Sequence, residues 1–141
     1  MSVRGLLIAA DSELSAIAHG RPESDKESLK QLSHMLRRAS EGPPIVCLCG
    51  SGRFREAFEQ AEFEETLQGK IVLTIGCNTH DVARSDDLKQ HKPMLDELHL
   101  RKIDLADEVL ILNVGGYIGE STSRELEYAK SRGKKIRFLT A

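Results

Sequence analysis

The sequence has no tryptophan, and aromatic residues reach only 4% of the chain. So few rings leave no stacked platform of the kind that single-strand nucleic-acid binders use. An excess of charge of one sign is also missing: 20 Lys and Arg face 22 Asp and Glu, a formal net charge of −2. That balance gives no electrostatic reason to expect nucleic acid or an anionic membrane as partner. Long apolar runs are absent too. The longest near the start, Leu6 to Ala10, is far shorter than the ~20 residues of a spanning helix and too short for a signal-peptide core. Cysteine is scarce, with only Cys47, Cys49 and Cys77. Their odd number and the lack of any C-x-x-C pair argue against a disulfide framework or a zinc site, so reduced thiols in the cytoplasm are the simplest reading. What remains is an ordinary globular composition, 40% apolar and 30% charged over 141 residues, which suits one main core.

Punctuation divides the chain. Gly42-Pro43-Pro44 ends an N-terminal appendage, residues 1–43, and opens an α/β domain, residues 44–141. Within the appendage, Ser24-Asp25-Lys26-Glu27 has capping-box spacing and is followed by Leu29, Leu32 and Leu36 at helical intervals. A helix over 25–41 is predicted, burying those leucines; residues 1–20 fit a helix or a strand. After the prolines, strand and helix patterns alternate. Strands are expected at 45–49, 70–75, 108–113 and 136–139, and helices at 53–67, from Pro93 to about 105, and at 121–132. Met94, Leu95, Leu98 and Leu105 are the expected apolar face of the middle helix. Glu62, Glu64 and Glu65 read as a solvated face. The alternation predicts a Rossmann-like or flavodoxin-like three-layer sandwich with a parallel sheet of four or five strands. Ligands in such folds bind beyond the carboxyl ends of the strands, where loops 50–53, 76–87 and 114–121 belong.

Those loops carry the candidate chemistry. Gly50-Ser51-Gly52-Arg53 combines close backbone approach, a helix N-terminus, a hydroxyl and a guanidinium, which suits a phosphate; a plain tight turn is the alternative. Gly116, Tyr117, Gly119, Ser121, Thr122 and Ser123 lead into a helix that carries Glu125. The hydroxyls can bind a phosphate or sugar, or simply cap that helix. The helix dipole is expected to keep Glu125 ionised, as attack on a cationic anomeric centre requires. Asn78 and His80 lie in the loop that would cover a base or ribose, and a solvated loop is the alternative. His80, His91 and His99 share no metal-ligand spacing, and Cys47 and Cys49 read as core packing. No metal and no cofactor are expected.

In order along the chain, Cys49-Gly50-Ser51-Gly52-Arg53, Leu105-Ala106-Asp107 and Ser123-Arg124-Glu125-Leu126-Glu127-Tyr128-Ala129 resemble successive motifs of the nucleoside 2-deoxyribosyltransferase superfamily, which includes the deoxynucleoside 5′-monophosphate N-hydrolases. The resemblance spans about residues 45–140. It implies Glu125 as nucleophile, residues 50–53 with Ser121 and Ser123 as the phosphate site, a small nucleotide or nucleoside as partner, and a homodimer or higher homo-oligomer. The sequence departs from the family at two acids. His99 stands where one aspartate is expected, eight residues before Asp107, and Gly119 stands where the second acid falls. An imidazole there can serve as proton donor to a leaving base. Two functions follow as expectations: an N-glycosidic hydrolase or deoxyribosyl transferase, or a non-catalytic binder of nucleotide or ADP-ribose-like ligands.

Overall fold

The computed structural model describes residues 3–75 and 90–140. The chain divides into two units, Met1–Pro43 and Pro44–Ala141. Among the described residues no helix is long and apolar enough to cross a membrane.

The first unit is a helical hairpin of α1 (Val3–Ile17) and α2 (Glu23–Ser40). Asp11 of α1 accepts hydrogen bonds from Ser33 and, at 2.8 Å, from Arg37 of α2. Arg4 donates to the Ser40 carbonyl at the far end, so the two helices run antiparallel. The capping box does not form. The helix starts at Glu23 with Pro22 as its N-cap and no side-chain cap, and the Ser24 hydroxyl turns to the neighbouring Asp25 carboxylate. The Pro22 carbonyl takes the first helical bonds, from Asp25 and Lys26, because proline's fixed φ already suits the entry to a helix. Leu29 and Leu36 are half-buried, whereas Leu32 is 44% exposed. The inner stripe runs through Leu29, Ser33 and Leu36, and Leu32 falls beside it.

The second unit contains a four-stranded parallel sheet of β1 (Ile45–Gly50), β2 (Ile71–Leu73), β3 (Glu108–Leu112) and β4 (Lys135–Phe138) in the order β2-β1-β3-β4. Helices α3 (Arg55–Leu67), α4 (Lys92–Leu105) and α5 (Glu120–Ser131) alternate with the strands. The path from β1 to β2 moves one way across the sheet, and the later crossovers move the other way. Right-handed crossovers therefore place α3 on one face and α4 and α5 on the other. Two apolar layers result. Val46, Leu48, Leu110 and Leu112 meet Phe58 and Ala61 of α3, while Cys47, Cys49, Val109 and Ile111 meet Ile103, Ala106 and Ala129. The period-2 alternation of β1 and β3 is what serves both layers at once. This is the three-layer α/β sandwich that the alternation predicts.

Two expectations about faces are corrected. Met94, Leu95, Leu98 and Leu105 are 38–53% exposed, and the buried stripe of α4 is His99 and Ile103. Glu65 is 4% exposed, not solvated. It belongs to an ion cluster: Lys70 bonds Glu65 at 2.5 Å and Glu108 at 2.7 Å, and Arg137 bonds the same two carboxylates at 2.7 and 2.8 Å. Asp107 is spent on the fold as well. Its carboxylate accepts from the Ile45 N–H at 2.9 Å, and its own N–H donates to the Ile45 carbonyl at 2.8 Å, which pins the start of β1.

Candidate functional site

The strand order reverses between β1 and β3, the switch point at which open α/β sheets bind ligands. Gly50 pairs with Leu112 there. A Cβ on Gly50 would stand 2.9 Å from the Leu112 Cβ, so only glycine permits this approach of the two strands. The loops leaving Gly50 and Leu112 are joined by side chains. Arg53 donates to the Tyr117 hydroxyl at 2.8 Å and to Ser51 Oγ at 3.1 Å, and its guanidinium lies 4.3 Å over the Tyr117 ring. Gly119 lies under that ring, where a Cβ would come within 3.1 Å of the hydroxyl. Gly115 and Gly116, with φ of 60° and 81°, form a tight 3-10 turn over Val114–Gly116. Asn113, which the sequence reading did not single out, holds the ends of β3 and β4 together through paired 3.0 Å bonds with Thr140.

A second group lies where the N-terminal parts of α4 and α5 meet. A cleft of about 540 Å³ is lined there by Lys92, Asp96, Leu100, Ser121, Arg124 and Glu125, among others. The Glu125 side chain is 14% exposed and leads inward. Its Oε2 is 3.9 Å from His99 Nε2, which is 3.3 Å from Cys49 Sγ and 3.9 Å from Cys47 Sγ. A chain of four polar groups thus runs from the cleft into an otherwise apolar layer.

Burial dominates their electrostatics. It pushes the Glu125 carboxyl up to about 7, against the pull of a charged His99. Burial works to lower His99, but the bond to Cys47 and the charges on Cys47 and Glu125 outweigh it and hold the imidazole above its ordinary value. Cys47 falls to about 6, chiefly through a hydrogen bond from Cys49 and despite burial; Cys49 is pushed up in return by Cys47 and by burial. The two thiols thus titrate together, the first proton leaving more readily at the expense of the second.

Several sequence expectations change. Glu125 lies in the second turn of α5, which begins at Glu120. The dipole fades there, and desolvation sets its titration instead. Thr122 is 3% exposed and packs inward. The hydroxyls do not cap α5, whose N-cap is Gly119, while Ser123 is exposed and its N–H donates to the Gly119 carbonyl. His99 is 5% exposed and stands behind Glu125 instead of lining the cleft. Glu125, His99 and Ser121 are brought together. Ser51, Arg53, Tyr117 and Gly119 are also brought together, as a separate group joined to it by the start of α5. Asn78 and His80 lie outside the described residues. The sequence reading missed the two cysteines as site members, and the signal was present: residues two apart on a strand share a face. No family model matches this sequence, and no curated protein is significantly similar to it.

Proposed function

We propose that the Pro44–Ala141 unit binds a nucleotide-like ligand across the carboxyl edge of its sheet and cleaves or transfers the N-glycosidic bond. The observation that carries this reading is Glu125, a carboxylate on the wall of a cleft at that edge, backed by a buried imidazole 3.9 Å away. Burial raises the Glu125 carboxyl and a charged His99 beside it favours ionisation; the ionised carboxylate is the form that attacks. Oε of Glu125 bonds to the anomeric carbon as the bond to the base nitrogen breaks, and the departing base takes a proton from solvent. Water, or a second base, then displaces the carboxylate. His99 acts through Glu125 as a positioning residue. Arg53 and Ser51 supply cation and hydroxyl for a 5′-phosphate.

The test is a panel of ribo- and deoxyribonucleoside monophosphates, with released base followed by chromatography. Wild type is expected to free base. Glu125→Gln should lower turnover by at least about 100-fold while changing affinity little, because the loss belongs to the transition state. Undiminished release by Glu125→Gln would remove the proposed nucleophile. Gly119 at the place of the family's second acid favours a second reading, a nucleotide-binding protein without turnover. In that case neither form frees base, and the substitution alters only affinity.

A further inference from the structure

Cys47 and Cys49 are two residues apart on β1, so both thiols face α4 and α5. Helix α4 lays His99 directly over them. The two Sγ atoms and a ring nitrogen of His99 all lie within 4.8 Å of one another, and all three residues are buried. Zinc bonds sulfur at about 2.3 Å and nitrogen at about 2.0–2.1 Å, so tetrahedral ligands stand roughly 3.5 Å apart. The observed Sγ to Nε2 distances of 3.3 and 3.9 Å bracket that value. On the cleft side, Glu125 Oε2 is buried and has no hydrogen-bond partner among the described residues.

We propose that Cys47, Cys49 and His99 form a three-ligand site for a zinc-like divalent metal, with the fourth coordination position opening toward Glu125. Two thiolates and an imidazole select zinc or cobalt over magnesium or calcium. A search for C-x-x-C spacing misses the site because its thiols come from alternate strand positions and its histidine from a helix about fifty residues later. Three protein ligands leave room for a water in front of Glu125, which gives its Oε2 a hydrogen bond to accept. The inference goes beyond the glycosidic reading and stands whether or not Glu125 attacks a sugar.

The test uses reduced, chelator-stripped full-length protein titrated with cobalt(II) and then zinc. One equivalent of cobalt per chain is expected, with thiolate-to-cobalt charge-transfer absorption and the intense visible bands of tetrahedral cobalt, all erased by zinc. Cys47→Ser, Cys49→Ser and His99→Ala should each weaken binding beyond the about 10–100-fold typical of outer-shell losses. Cys77→Ser should leave it unchanged, and Glu125→Gln should weaken it by no more than that outer-shell range. Should a core variant fail to fold, X-ray absorption on zinc-loaded wild type decides, since two sulfur neighbours at about 2.3 Å are required. An absent charge-transfer band, or a zinc shell of oxygen and nitrogen alone, overturns the site. Base release by the stripped protein is measured separately, so failure of the metal site and failure of the glycosidic reading are distinguishable.

Discussion

Arg53 shows how a single side chain can be ready for a ligand and still structurally occupied. It is exposed, yet its guanidinium lies 4.3 Å over the Tyr117 ring and bonds both the Tyr117 hydroxyl and Ser51. A guanidinium has five N–H donors, so these two bonds leave donors for an anion and fix the plane in which they point. Arg53→Ala should therefore weaken monophosphate binding by roughly 1.5–3 kcal/mol, the range for hydrogen bonds to charged groups. The matching nucleoside should bind nearly unchanged in the same calorimetric titration. An equal loss for both would mean that Arg53 only braces the loop. The sequence was informative here to the level of residue type. Gly50 to Arg53 could be read as an anion loop because glycine, hydroxyl and guanidinium occur together. That Tyr117 would reach back across the switch point could not be read, since nothing local links positions 64 residues apart. Glu125 was legible as a carboxylate near a helix start. Its raised titration was not, because desolvation depends on His99, Cys47 and Cys49 arriving from other elements.

At the scale of elements, strands and helices followed from apolar runs and glycine punctuation, whereas helix faces did not. Helix α4 carries apolar residues on several sides, so its leucines gave no unique stripe, and the buried position went to His99. Glu65 was hidden for the same reason: its partners Lys70 and Arg137 come from other parts of the chain. Where sequence and packing do agree is Gly50. It ends β1 against Leu112, and an added Cβ would meet the Leu112 Cβ at 2.9 Å and both the Leu112 carbonyl and Phe58 at 3.3 Å. Gly50→Ala must push β1 and β3 apart or move Phe58, and overpacking of this kind costs about 1–3 kcal/mol. Urea unfolding should show a lower midpoint at unchanged slope. An unchanged midpoint would mean that the strands separate there without cost, and the switch point would be looser than this packing implies.

For the whole molecule, two properties depend on many elements together. The first is acid stability. Burial would raise the Glu108 carboxyl, but bonds from Lys70 and Arg137 outweigh it and hold it at about 2 instead of the ordinary 4.5. The folded form therefore binds its proton later than the unfolded chain. The stabilisation is fully present above about pH 5 and fades as pH falls from 4.5 toward 2. Glu108→Gln should cost on the order of 2–3 kcal/mol near neutral pH by urea unfolding, with the gap to wild type closing through that acid range. A gap that stays constant with pH would assign the effect to packing and not to charge. The second property is assembly. Met94, Leu98 and Leu105 are 53%, 50% and 53% exposed, and their spacing of four and seven places them on one side of α4. Arg101 lies on the same stripe, but its charge is met within the helix by Glu97 at 2.9 Å and Asp104 at 2.8 Å. An apolar stripe with its one cation neutralised is suited to a second copy of the same helix, with Met94 of one chain beside Leu105 of the other in a two-fold pairing. Light scattering should therefore give twice the mass of the 15.7 kDa chain, and Leu98→Lys should return a folded monomer, because two ammonium groups near the axis would face each other without partners. A wild-type monomer, or a Leu98→Lys protein that still dimerises, would show that this face of α4 is not where the copies meet.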